Sequence, residues 1–220
     1  MLETIARRAL LGFVVCSAAA AAAERRLVDE VVAVVESQTI TLSELSAETR
    51  IQLVDQQGAH LADAMPDRAL LAASLRRVIE ERVVLAEVDR LKLFDLDRAE
   101  VDAALARLRA KFPARERWEA FTRSLQLTDD EIGAVLARGI RVARYLDNRL
   151  KLAAQLRDSE LDDALRARSG AGGPVDREGL RQKLAREKYD RLLSELLGDL
   201  RRRADVRVLD SLDGGVEARR

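Results

Sequence analysis

Histidine and cysteine are nearly missing from this 220-residue chain, which holds one of each, His60 and Cys16. Metal sites built on imidazole or thiolate need several such side chains at set spacing, so those sites are excluded. The lone histidine stands near Gly58 in an irregular stretch, and no Gly-x-Ser-x-Gly turn is present for it to serve as a base. Glycine is no richer in meaning: Gly170, Gly172 and Gly173 follow a helical pattern rather than a strand and lack the Gly-Lys-Ser/Thr ending of a phosphate loop. Paired carboxylates do occur, at Asp129 with Asp130 and Asp162 with Asp163, but they open helical patterns, where acidic side chains offset the helix dipole. The expectation is a protein that is no enzyme, with no catalytic residue, no cofactor and no metal.

An excess of charge of one sign is also absent. The 38 basic and 38 acidic residues are interleaved along the chain, as on solvated helix surfaces, and this balance disfavours nucleic acid as a partner. Proline appears three times, and Trp, Tyr and Phe together make up 3% of residues. Alanine, leucine, arginine and glutamate dominate instead, so the composition predicts a mainly α protein.

The long apolar run is confined to the start. Arg7 and Arg8 precede apolar residues 9–15, followed by Cys16, Ser17 and six alanines to Ala23. That order is a secretory signal peptide, with small residues where the peptidase cuts. Its strongly apolar part falls short of the roughly 20 residues that span a bilayer, so cleavage near Ala23 is expected rather than an uncleaved anchor. Bulky Val15 before Cys16 argues against a lipid-modified cysteine. The predicted organisation is a signal peptide over 1–23, one helical domain over 24–210 and a disordered tail over 211–220. The mature chain is expected in the periplasm, off the membrane and without a disulfide.

Local patterns then divide the helical part. Residues 28–35 read as a strand, because Val31, Val32, Val34 and Val35 are β-branched. A turn at Glu36, Ser37 and Gln38 leads to a short return strand at Thr39 and Ile40. Thr41 with Glu44, Asp97 with Glu100 and Thr128 with Glu131 are capping boxes, and they predict helices over about 42–57, 98–111 and 129–151. A further helix is predicted over 67–91, apolar on several faces and therefore central. A shorter one carries Trp118 and Phe121. Ser159 is expected to cap a helix ending near Arg168, and Asp176 a final helix reaching Arg203 whose Leu180, Leu184, Leu192, Leu193, Leu196 and Leu200 face inward. Residues 205–209 alternate as one more strand. A lone strand leaves its backbone unpaired, so the two ends of the chain are predicted to share one small sheet.

The large aromatics Phe112, Trp118, Phe121 and Tyr145 are the candidate client-binding residues, since such side chains offer the most contact area. They are ordinary core residues unless two or more lie exposed along one groove.

These segments, taken in order, resemble the SurA-type periplasmic chaperones, namely their N-terminal helical domain with the returning C-terminal helix. The stretch Leu27-Val28-Asp29-Glu30-Val31-Val32-Ala33-Val34-Val35, with Ile40-Thr41-Leu42-Ser43-Glu44-Leu45, is similar to the family's strand, turn and first helix. Val78-Ile79-Glu80-Glu81 resembles part of its long second helix. Asp97-Arg98-Ala99-Glu100-Val101-Asp102 and Leu127-Thr128-Asp129-Asp130-Glu131 resemble later helix starts, and Leu200, Arg201, Ala204, Asp205 and Val206 the closing helix and strand. The chain departs from the family in its Glu36-Ser37-Gln38 turn, where an Asn or Gly is usual. It also lacks the inserted parvulin-type isomerase domain, for which only residues 169–174 stand at the expected place. The resemblance implies an ATP-independent chaperone that binds unfolded or partly folded secreted and outer-membrane polypeptides without prolyl isomerase activity. The residues themselves also admit an adaptor that binds one fixed partner of an envelope complex.

Overall fold

The computed structural model describes residues 29–169 and 176–212, the side chains of 168 and 169 excepted. The signal peptide, most of the 169–174 connection and the end of the predicted tail lie outside the described residues. The chain runs β1 (Val31–Val35), β2 (Gln38–Thr41), α1 (Leu42–Gln57), a single 3-10 turn at Ala59–Leu61, α2 (Arg68–Arg90), α3 (Arg98–Arg109), α4 (Arg115–Leu125), α5 (Asp129–Leu150), α6 (Asp158–Ser169), α7 (Arg177–Arg203) and β3 (Val206–Val208). It is the mainly α fold with a small terminal sheet that the sequence predicts.

The sheet is antiparallel in the order β2-β1-β3, so the first strand lies between its hairpin partner and the last strand of the described chain. Val34 faces Arg207 and Val35 faces Val206 on one side, and Val34 faces Thr39 on the other. The hairpin closes in two residues, pairing Val35 with Gln38, and places Glu36 at φ 54, a left-handed conformation that costs a non-glycine residue about 1 kcal/mol or more. Two contacts tie Glu36 to Asp205, and the one made by its carboxylate is a contact a glycine lacks. Its backbone N–H donates to the Asp205 carbonyl at 2.7 Å, and its carboxylate accepts from the Asp205 N–H at 3.2 Å. The hairpin is thus tied to the strand that arrives from the other end.

Helix starts follow the capping boxes. The Asp97 carboxylate accepts from the Glu100 N–H at 2.8 Å while Glu100 reaches back to the Asp97 N–H, and Thr128 with Glu131 does the same for α5. Asp97→Ala should therefore lower stability by about 1 kcal/mol, read from the shift in a urea unfolding midpoint. A midpoint unchanged within error would mean that α3 is held by packing alone. At α6 the expected cap is displaced: Ser159 sits inside the first turn, and Glu160 accepts from the Arg157 N–H at 2.7 Å instead.

The core has two parts. One gathers the sheet, the start of α1, most of α2 and the ends of α5 and α7, with Val32, Ile40, Leu45, Leu75, Val78 and Tyr145 fully enclosed. The other gathers the second half of α1 with α3, α4 and the start of α5, around Ile51, Leu108, Phe121 and Ile132. Helix α2 packs on α1, α5, α7 and β1, the central place that its several apolar faces require. Helix α7 is less enclosed than its pattern suggests. Leu180 and Leu200 are buried, but Leu184, Leu192, Leu193 and Leu196 are half-buried, because α7 meets its neighbours on limited parts of its length. Leu212, at the front of the expected disordered tail, is buried at 3% exposure, and its carbonyl accepts from Arg68 Nε at 3.0 Å.

Candidate functional site

Helices α1 and α5 run through both halves of the core, and charged residues lie on them where the halves meet. On α1, Glu48 falls between Leu45 of one half and Ile51 of the other; on α5, Arg138 falls between Leu136 and Val142. Helix α2 supplies Arg82, directly after Val78 and Ile79 on a buried face. Glu48 and Arg82 are each 4% exposed. The Arg82 guanidinium donates to Glu48 at 2.6 Å and to Glu44 at 2.8 Å, and Arg138 donates to Glu48 as well. Glu81 completes the group, accepting from Arg77 at 3.4 Å.

Burial opposes the Arg82 cation, but Glu48, Glu44 and Glu81 hold it above the ordinary arginine value. Glu81 is pushed above the usual carboxylate range by burial and by the neighbouring Glu48, against the pull of Arg82, Arg77 and Arg138. An ion group this deep contributes little net stability over a well-packed apolar one, yet it sets which helix faces meet. Its carboxylates meet their cations through Arg82 and Arg138 Nη2 when α1, α2 and α5 are in this register, while Arg82 Nη1 and Arg138 Nε stay buried without a hydrogen-bond partner.

Above this group a cleft of about 360 Å³ opens between α1 and α5. Its walls alternate in character: Ala47, Leu125, Leu127 and Val135 are apolar, and Glu44, Glu48, Glu131 and Arg138 are charged. Gln126, in the left-handed conformation that ends α4, turns the chain along one end of it. Such a mixed surface places apolar contact area beside charged groups. A larger depression of about 500 Å³, where α2 and α7 end, is lined by Glu36, Glu87, Arg90 and Arg203. There Arg90 is already engaged with Glu87 through two contacts of 2.8 Å.

The four aromatics singled out from the sequence are all buried, at 9% exposure for Phe112, 4% for Trp118 and 2% for both Phe121 and Tyr145. None lines the cleft or the depression just described. Phe112, Trp118 and Phe121 come together, with ring centroids 5.3 Å apart for Phe112–Trp118 and for Phe112–Phe121 and 6.1 Å for Trp118–Phe121. Tyr145 belongs to the other half of the core. The trio is core because α3, α4 and α5 close around it: Trp118 Nε1 donates to Asp129 at 3.1 Å, and Arg109 and Arg50 cover the rings of Trp118 and Phe121. Glu48, Arg82 and Arg138 are not among the residues picked out from the sequence. Their signal is present all the same, as charges at positions that helical spacing assigns to an apolar face.

His60 lies exposed in the 3-10 turn. Among the described residues no three His, Cys, Asp or Glu side chains are grouped to hold a metal ion, and no helix is long and apolar enough to cross a membrane.

No family model matches the chain. Curated proteins do. The chain is 32% identical over 159 residues to the Chaperone SurA of Cupriavidus metallidurans and 35% identical over 163 residues to the Chaperone SurA of Cupriavidus pinatubonensis. Each match covers 69% of this chain and 31% of the relative, so the chain spans about a third of the length of these curated relatives. Identity of this extent supports a SurA-like relationship for the chain.

Proposed function

We propose that this protein is an ATP-independent chaperone of the periplasm that holds unfolded or partly folded secreted and outer-membrane polypeptides, without prolyl isomerase activity. The observation that carries the proposal is the likeness to two proteins named Chaperone SurA over 69% of the chain. The open cleft between α1 and α5 adds a physical means, since weak apolar contacts serve many client sequences and need no energy source. Processing near Ala23 and export follow from the basic, apolar and small-residue order of residues 1–23. Residues 24–210 form the client-holding body in this reading.

The test is aggregation of several unrelated unfolded proteins followed by light scattering. The protein should slow all of them at near-equimolar ratio, and an adaptor for one fixed partner should protect none. Client binding should change little between low and moderate salt, because the chain carries nearly equal numbers of both charges. In a proline-limited refolding assay the slow phase, tens to hundreds of seconds when uncatalysed, should keep its rate. A rate gain proportional to added protein would refute the second half of the proposal.

A further inference from the structure

Asp29, the first described residue, is fixed at the rim of the cleft between α1 and α5. Its carboxylate accepts from the Ser43 N–H at 3.2 Å and from the Ser43 hydroxyl, and Ser43 lines the cleft. The next residue, Glu30, accepts from the Leu42 N–H at 2.8 Å, so the chain runs beside the first turn of α1. β1 is antiparallel to β2, and β2 leads directly into α1. Followed upstream, the backbone at Asp29 is therefore aimed toward the α1 side. The four residues before it are Arg25-Arg26-Leu27-Val28.

The cleft complements that sequence. Three carboxylates, Glu44, Glu48 and Glu131, face one guanidinium, Arg138, among its lining residues. Glu44 and Glu48 are taken by Arg82 and Arg138. Glu131 accepts only from the N–H and hydroxyl of Thr128, at 2.7 and 2.8 Å, and no cation meets it among the described residues. Ala47, Leu127 and Val135 add apolar wall. Arg50, two turns along α1 from Ser43, donates to Ser124 Oγ at 2.8 Å, which sets the wall that follows α4 at the far end of the cleft from Asp29.

Length fits as well. Two residues of extended chain advance about 6.6 Å and four of helix about 6 Å, so an extended segment in step with α1 brings Leu27 level with Ala47 and Arg25 one turn farther on. Alternate side chains of extended chain share a face. Leu27 and Arg25 therefore share the side of Asp29, which is turned to α1.

We propose that residues 25–28 dock in this cleft, with Leu27 on its apolar wall and Arg25 at Glu131, and that polypeptide clients reach the cleft by displacing them. The placement comes from this chain's own residues; its consequence for clients rests on the chaperone reading and adds a regulation to it.

Cysteine trapping reads the placement. In the full-length chain carrying Cys16→Ser, Leu27→Cys with Val135→Cys supplies the only two thiols, and mild oxidation should join them within one molecule in most of the protein, read on a non-reducing gel. A disulfide needs Cα atoms within about 7 Å, so the control pair Leu27→Cys with Leu70→Cys, on the face of α1 shared with α2, should stay reduced. Ala134→Cys, on the same wall as Val135, should trap Leu27→Cys in the same way. Arg25→Glu with Arg26→Glu should slow trapping about fivefold, the upper range for one exposed ion pair. With Val135→Cys as the single thiol, the same charge reversal should speed its reaction with a maleimide by a similar factor. Equal trapping of the cleft and control pairs, disulfides between molecules rather than within one, or rates untouched by the charge reversal would overturn the proposal.

Aggregation assays separate this failure from that of the chaperone reading. The charge-reversed protein should protect unfolded clients at a lower concentration than the parent, and protection no better than the parent's would overturn the displacement. Parent protein that protects clients without trapping loses only the docked segment. Trapping in a protein that protects no client keeps the segment in the cleft and removes the chaperone reading.

Discussion

Arg82→Met should lower the unfolding free energy by about 3–5 kcal/mol, the cost of stranding buried carboxylates without their cation. Methionine keeps much of the aliphatic volume, so the loss reports charge rather than packing. For a domain of this size the melting temperature should fall on the order of 10 °C. Restoring neutrality with Glu48→Gln in the same chain should recover a large part of the loss, because Glu48 is the partner with the least water around it, at 4% exposure. A recovery of this kind is the coupling that a double-mutant cycle measures.

The deficit of Arg82→Met should also depend on pH. Glu81 already has its folded-state pKa raised above the unfolded value by burial and by Glu48. A carboxyl raised in this way favours the fold when protonated, so its contribution is fully present below the unfolded pKa and is lost as pH rises through the folded one. Arg82 is one of the cations that restrain this shift, and removing it enlarges the shift. The variant should therefore be weakest relative to the parent at pH 7 and approach it as pH falls toward about 4. Equal deficits at both pH values, or a loss below about 1 kcal/mol, would show that the ion group does not hold the two halves of the core in register.

Ending the chain after Ala204 should cost about 3–5 kcal/mol. The truncation removes β3 and its ladder to β1, and with it the Leu209 and Asp210 N–H groups that both donate to the Val32 carbonyl, at 2.8 and 3.1 Å. It also removes the Glu36–Asp205 contacts that hold the hairpin and the buried Leu212, whose side chain alone accounts for about 1.5–3 kcal/mol of transfer free energy. Leu212→Ala separates the anchor from the ladder and should give roughly half of the effect. A truncated chain with an unchanged melting temperature would mean that the terminal strand adds nothing to the fold, and pairing with β1 would lose its energetic meaning.

Much of this architecture is legible without coordinates, because short-range chemistry writes it. Thr41, Asp67, Asp97 and Thr128 each start a helix by accepting from a backbone N–H a few residues on, and such contacts need nothing beyond the local chain. Pairing of the two ends is legible for another reason: two isolated strand patterns have unpaired backbone and no other partner. The candidate aromatics read differently. Trp118 and Phe121 have the same local signature whether they face solvent or a third helix, and only the closing of α3 and α5 over them decides the matter.

Helix-rich class, the helix starts at Thr41, Asp67, Asp97 and Thr128, the central place of α2 and the pairing of β1 with β3 were determined by the sequence itself, since each follows from periodicity or from the demands of backbone hydrogen bonding. Burial of Glu48 with Arg82 and the enclosure of Phe112, Trp118 and Phe121 were decided by tertiary structure alone. Strict alternation also fails in β1, where a bulge between Val31 and Ala33 turns the adjacent Val32 and Ala33 both inward. The physical reason is common to all of them: side-chain identity sets what a residue tolerates, but its neighbours come from segments distant in sequence, and only packing determines which of the tolerated environments it occupies.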